Sequence, residues 1–102
     1  MTRFDWDPVK ARTNERKHGI SFDLARHVFV DSDALVEHDR IEGGERRWQA
    51  IGVVGSALVL VVAHTVELAD EDDEVIRIIS ARRADRKERR RYEKERQKNR
   101  SW

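Results

Sequence analysis

The spacing of apolar residues changes character along the chain, and each change marks a predicted element. Phe4 and Trp6 alternate with Arg3, Asp5 and Asp7, the two-residue period of a short strand. Asp7 suits a helix N-cap, and Pro8 suits the first helical position because its missing N–H would have had no partner there. The helix predicted from Val9 to His18 has only Val9 and Ala11 as apolar residues, so most of its surface is wet or covered by polar partners. Gly19 ends it as a left-handed cap. Ser21 then caps a second helix, from Phe22 to about Val30, whose apolar face carries Phe22, Ala25 and Phe29.

From Ala34 the pattern becomes that of strands. Ala34 to His38 is short, Arg46 to Val54 is longer, and Ala57 to Val66 is a nearly continuous apolar run, as a central strand buried on both faces would be. Gly55-Ser56 fits a tight hairpin between the last two. Asp70 to Glu74 reads as a mobile acidic loop, and Val75 to Ala81 as the last strand. Asp85 and Glu88 have capping-box spacing and open a third helix to roughly Gln97. That helix is polar all round, so pairs such as Arg91–Glu95 and the docking of Tyr92 have to hold it. The order predicts an α+β fold: a short N-terminal strand, two helices, an antiparallel sheet of about four strands and a basic C-terminal helix. Residues 1–97 form one domain and 98–102 a frayed tail. Helices grouped on one face would leave the other face of the sheet free to bind.

Composition narrows the chemistry. Of 102 residues 40% are charged and 38% hydrophobic, and no stretch is long and apolar enough for a membrane span. The N-terminus lacks the apolar region of a signal peptide, so a cytoplasmic location is expected. The absence of cysteine excludes disulfides, a thiolate nucleophile and thiolate zinc sites. No pair of histidines, or of histidine and acid, has ligand spacing; neither metal nor cofactor is expected. The net charge of +1 hides an asymmetry: residues 82–102 hold 11 Lys and Arg against 4 acids, a balance of +7 that leaves −6 on the rest. A clustered basic end attracts polyanions whatever the total charge; the plainer reading is a solvated, ion-paired helix.

Several blocks resemble the BrnT family: Trp6-Asp7-Pro8 with Lys10 and Asn14, Lys17-His18-Gly19-Ile20-Ser21-Phe22, Val28-Phe29-Val30-Asp31, Gly44-Glu45-Arg46-Arg47-Trp48, and Ile76 to Ala84 followed by Glu88 to Tyr92. The resemblance runs in unbroken order from about Phe4 to Glu93. It implies a RelE-like fold and the toxin of a type II toxin–antitoxin pair, an RNA endonuclease that inhibits translation. It also implies neutralisation by a BrnA-type ribbon-helix-helix antitoxin, the complex binding its own promoter DNA. The chain departs from the family pattern after His64-Thr65, where Val66 and Glu67 stand near the position of an arginine. A second reading is therefore an inert binding protein serving as antitoxin partner and co-repressor. A free-standing DNA-binding module is weaker, because no helix–turn–helix precedes the basic helix.

Metal-independent RNA cleavage needs a base for the 2′-hydroxyl, cations for the phosphate and an acid for the leaving oxygen. Arg77 is predicted on the sheet face opposite Ile76 and Ile78, and Arg82 and Arg83 at the strand exit, where two guanidiniums facing Arg46 or Arg47 would form a phosphate fork. Equally, Arg82 or Arg83 could pair with Asp85 or Glu88 and seat the last helix. His64 is a candidate proton carrier or a satisfied core residue. Tyr92, at the place where RelE-like enzymes resembling this one carry a C-terminal aromatic, is its rival or simply the helix anchor. Lys17 and His18 suit the negative end of the first helix, with a phosphate role open to them, and Arg89 is a further RNA-binding candidate. Glu45 reads as a cross-strand partner of Arg46 and Arg47. An antitoxin covering the basic sheet face would need an acidic or amphipathic segment.

Overall fold

A computed structural model describes residues 1–100 of the chain. Its elements in order are β1 (Thr2–Asp5), α1 (Pro8–His18), α2 (Phe22–Ala25), which continues as a 3-10 turn (Arg26–Val30), then β2 (Leu35–Glu42), β3 (Glu45–Val54), β4 (Leu58–Asp70), β5 (Asp73–Arg83) and α3 (Arg86–Arg100). Asp7 caps α1 through the N–H of Val9, and Gly19 closes it with φ 72°. Ser21 caps α2 through the N–H of Leu24 at 3.0 Å. The predicted second helix is thus split. The split falls where Val28 presses onto β3 at Gly52, whose missing side chain makes room: a Cβ there would lie 2.9 Å from Val28 Cγ1.

The sheet is five-stranded and mixed, in the order β1-β5-β4-β3-β2, rather than an antiparallel sheet of about four. β1 joins it as a parallel edge strand along the first part of β5, Phe4 opposite Ile76 and Asp5 opposite Arg77. The expected acidic loop is also mostly strand. β4 and β5 extend to Asp70 and Asp73 and leave only Glu71-Asp72 as the turn. β2 likewise runs beyond His38 to Glu42 and returns through Gly43-Gly44, both with positive φ (60° and 78°), as a two-residue hairpin requires.

Both faces of the sheet are covered in part. On one, Ile20, Phe22, Ala25 and Val28 pack against Ala50, Leu60, Val62, Ile76, Ile78 and Ala81. On the other, Tyr92 and Ala84 pack against Ile51, Val59 and Val61. The helices are therefore not grouped on one side: α3 lies across the face opposite α2, because Val59, Val61 and Ile51 give that face its own apolar strip. Helix α3 runs to Arg100, past the expected end at Gln97 and through the first part of the expected tail. Residues 101–102 of that tail lie outside the described residues.

Polar contacts seat both long helices. Asn14 is buried, donates to the carbonyls of Ile20 (3.1 Å) and Ala81 (2.8 Å), and accepts from the Ala81 N–H at 3.2 Å. Its amide thereby completes the edge of β5 beyond the reach of β1. On the other side Asp31 accepts from the Tyr92 hydroxyl (2.5 Å) and the Val53 N–H (2.9 Å). Buried Asp33 faces Arg100 at 3.2 Å and Arg96 at 3.8 Å. Arg91 reaches Glu37 of β2 at 2.5 Å instead of pairing with Glu95.

Candidate functional site

The candidate chemistry converges on the part of the sheet that α3 leaves open. Trp48 pairs with His64, so Arg47 and Thr65, the next positions on these antiparallel strands, share the opposite face. Thr65 in turn pairs with Arg77, Arg77 with Asp5, and Arg47 with Arg40. One row across five strands thus reads Asp5, Arg77, Thr65, Arg47, Arg40, with the buried Thr65 flanked by two guanidinium-bearing residues. Arg77 is exposed and has no ion-pair partner among the described residues. Arg47 is half-buried. Glu42 meets it at 3.3 Å and Arg40 at 3.1 Å, while the buried Nε of Arg47 has no acceptor among the described residues. Between this row and α3 lie Ser80, Ala63 and Gln49, small or neutral residues that keep the floor shallow.

Arg82 and Arg83 do not form a fork. Arg82 pairs with Val61 and faces the α3 side, whereas Arg83 pairs with Leu60 and points to the other side. Adjacent residues of a strand must diverge in this way. Arg82 instead makes a bidentate pair with Glu88, 2.7 and 2.8 Å. Glu88 also accepts from the Asp85 N–H and Asp85 from the Glu88 N–H, so the predicted capping box is present and Arg82 braces it. The hydrogen bonds from Arg82 pull the Glu88 carboxyl down to about 2.

The other candidates are elsewhere. His64 is 2% exposed, on the α2 side of the sheet, with the Phe29 ring edge-on at 4.8 Å and Nδ1 3.3 Å from the Val62 carbonyl. Burial lowers its pKa, which favours the neutral ring. Tyr92 is 1% exposed, and burial together with the Asp31 carboxylate pushes its hydroxyl up to about 12. Its ring and hydroxyl anchor α3 on the sheet. Arg46 is on the face opposite Arg47, its guanidinium 5.9 Å from the Trp48 ring centre. Lys17 and His18 line a shallow recess with Ile79 and Ser80 beside α1. Arg89 is exposed on α3. Glu45 lies opposite Glu42, which takes the ion-pair role expected of Glu45.

Sequence reading missed Arg40, Thr65 and Asp31. Ending β2 at His38 left Arg40 outside any strand; the Gly43-Gly44 pair was the signal for a longer hairpin. Asp31 stands in one of the BrnT-like blocks and accepts locally from the Asp33 N–H at 2.9 Å, but the partners that make it a latch, Val53 and Tyr92, are 22 and 61 residues away.

A family model described as the ribonuclease toxin BrnT of a type II toxin–antitoxin system matches residues 6–88. The chain belongs to the BrnT family. Among solved structures it is similar to the ribonuclease toxin BrnT of Brucella abortus, with 28% identity, a TM-score of 0.64, and coverage of 84% of this chain and 99% of that one. No curated protein matches it. BrnT membership makes the chain a ribonuclease toxin by family and implies an antitoxin partner and RNA as substrate. It also fixes which part of the molecule is shared: the BrnT match takes in the row from Arg40 to Arg77 but not Asp5, and stops at Glu88, so most of α3 lies beyond it. Among the described residues no cluster of potential metal ligands is found, and no helix is long and apolar enough to cross a membrane.

Proposed function

We propose that this BrnT chain is a metal-independent RNA endonuclease whose row of Arg77, Thr65 and Arg47 receives the scissile phosphate. The observation that carries this reading is the pairing register, which sets two arginines on either side of a buried threonine on an open sheet face. Guanidiniums on neighbouring strands can grip the phosphate oxygens as charge accumulates during attack, where each such donor acts on the transition state more than on the bound substrate. In the reaction the 2′-oxygen attacks the adjacent phosphorus and its proton passes to a base. The 5′-oxygen leaves and takes up a proton, giving a 2′,3′-cyclic phosphate and a 5′-hydroxyl. His64 lies on the opposite face and Tyr92 is buried beneath α3, so neither carries a role in this reading. The proton acceptors beside the row are the carboxylates Asp5 and Glu67, the latter on the row's face two positions beyond Thr65. Glu42 marks where an oxyanion is attracted, and RNA entering the row displaces it from Arg47.

In the same reading the fold is a RelE-like variant, and a BrnA-type ribbon-helix-helix antitoxin neutralises the toxin and carries the pair to promoter DNA. Purified protein incubated with RNA in EDTA tests the enzyme: cleavage that Arg77→Gln slows by about 100-fold supports it. Intact RNA together with normal growth on induction overturns it in favour of a binding-only toxin relative.

A further inference from the structure

The outer face of α3 carries a cationic stripe bordered by one exposed acid, Glu93, and we infer that it is a second nucleic-acid contact, a sequence-independent dock for the RNA backbone flanking the arginine row. The 15 residues of α3 span about 22 Å at 1.5 Å per residue. At 3.6 residues per turn, Arg86, Lys87, Arg90, Arg91, Lys94 and Lys98 fall within less than half of the helix circumference, and all six are exposed. The three acids of α3 lie off this stripe. Glu88 is turned to Arg82, Glu95 is half-buried toward the sheet side, and Glu93 stands at the margin.

The cations divide by use. Arg96 and Arg100 face Asp33 and Arg91 is paired with Glu37, so these three hold the helix down. Arg86, Lys87, Arg90, Lys94 and Lys98 have no ion-pair or hydrogen-bond partner among the described residues. Helix docking and the capping box are accomplished without them. Their like charges repel along one face, an unfavourable arrangement that a polyanion relieves. The stripe carries no apolar residue, as insertion into a lipid surface would need, and its spread of like charges along about 22 Å matches the repeat of a phosphate backbone. Phosphates are the ligand it fits. Because α3 lies on the same sheet face as Arg77 and Arg47, a strand seated in the row can continue onto it.

This inference rests on RNA as the substrate but not on turnover, so it is tested by binding alone. The probe is a fluorescein-labelled, fully 2′-O-methylated RNA of about 16 nucleotides, the upper range for backbone-tracking sites, titrated between about 50 and 200 mM KCl. The fourfold variant Lys87→Gln, Arg90→Gln, Lys94→Gln and Lys98→Gln keeps good helix formers at exposed sites. Four lost contacts on a single strand, each about 0.7 in the slope of log K against log salt, should flatten that slope by about 3. The charge-conserving variant Lys87→Arg, Lys94→Arg and Lys98→Arg should keep the wild-type slope. An unchanged slope in the fourfold variant, at an unchanged urea midpoint, overturns the inference. So does wild-type protein that binds vesicles of phosphatidylcholine and phosphatidylglycerol but not the RNA. Steep salt-dependent binding without cleavage of unmodified RNA would sink the enzyme reading and leave this one standing.

Discussion

Arg77 and Arg82 face the same side of β5 although they stand five positions apart, an odd offset that strict alternation would send to opposite sides. The reason is Ile79. Ser80 pairs with Ala63 and Ile78 with His64, so Ile79 is an extra residue in β5 and shifts the facing of everything after it. The bulge brings Arg82 to the side of α3, where it braces Glu88, while Arg77 stays in the open row.

Substitution should separate these two arginines. Arg77→Gln and Arg47→Gln are each expected to lower the single-turnover rate of RNA cleavage by about 100-fold, the scale of one lost transition-state donor, with little change in stability. Arg83→Gln, whose side chain leaves on the other face, should stay within about twofold of wild type. A large loss in Arg83→Gln with none in Arg77→Gln would refute the row.

Tyr92 tests the docking of α3. Tyr92→Phe removes one hydrogen bond to an ionised acceptor and should cost about 1.5–3 kcal/mol in urea unfolding, with faster amide exchange in α3. If stability were unchanged while cleavage disappeared, the phenol would be a reactant and not an anchor.

Acid should weaken the protein in two windows. Burial of His64 depresses its folded pKa below the ordinary histidine value of 6.5, so its contribution is present above that pH and is lost as pH falls, because the unfolded state binds the proton more readily. Glu88, drawn from 4.5 to about 2 chiefly by Arg82, contributes above about 4.5 and loses that contribution toward pH 2. Urea midpoints measured across pH 8 to 3 should fall in both ranges. His64→Leu should abolish the fall that begins near pH 6.5 and Arg82→Gln should blunt the lower one; an unaltered upper fall in His64→Leu would contradict this assignment.

Gly52 offers a test of the 3-10 turn. Gly52→Ala places a methyl group 2.9 Å from Val28 and 3.2 Å from the Asp31 carboxylate. A loss of about 1–3 kcal/mol is expected, together with weakened protection of α3 because Asp31 is its latch. A neutral variant would show that the turn can move away from β3.

What could be read in advance was whatever local chemistry determines. The Asp7 and Gly19 caps, the Asp85–Glu88 box and the long β4 run emerge from neighbouring residues, and the helix and strand order followed from them. The face on which Arg77 lies was legible from Ile76 and Ile78. The reach of β2, the parallel docking of β1 and the bulge at Ile79 were not, because register is decided by partners distant in sequence. The same holds for the site: arginines could be nominated by type, but only register distinguishes Arg47 from Arg46 and Arg77 from Arg83. His64 and Tyr92 were ambiguous because burial, which separates a presented group from a packed one, is a property of the packed chain.

The amide of Asn14 has one further consequence. A strand edge with free N–H and C=O groups invites another chain to extend the sheet, and beyond Arg77 the outer side of β5 has no strand beside it. By taking both groups of Ala81, Asn14 denies that edge to any incoming strand. β2 carries an irregularity between His38 and Arg40 that disturbs its own margin. At this stretch of β5 the helix side chain therefore does the capping that a sixth strand would otherwise do.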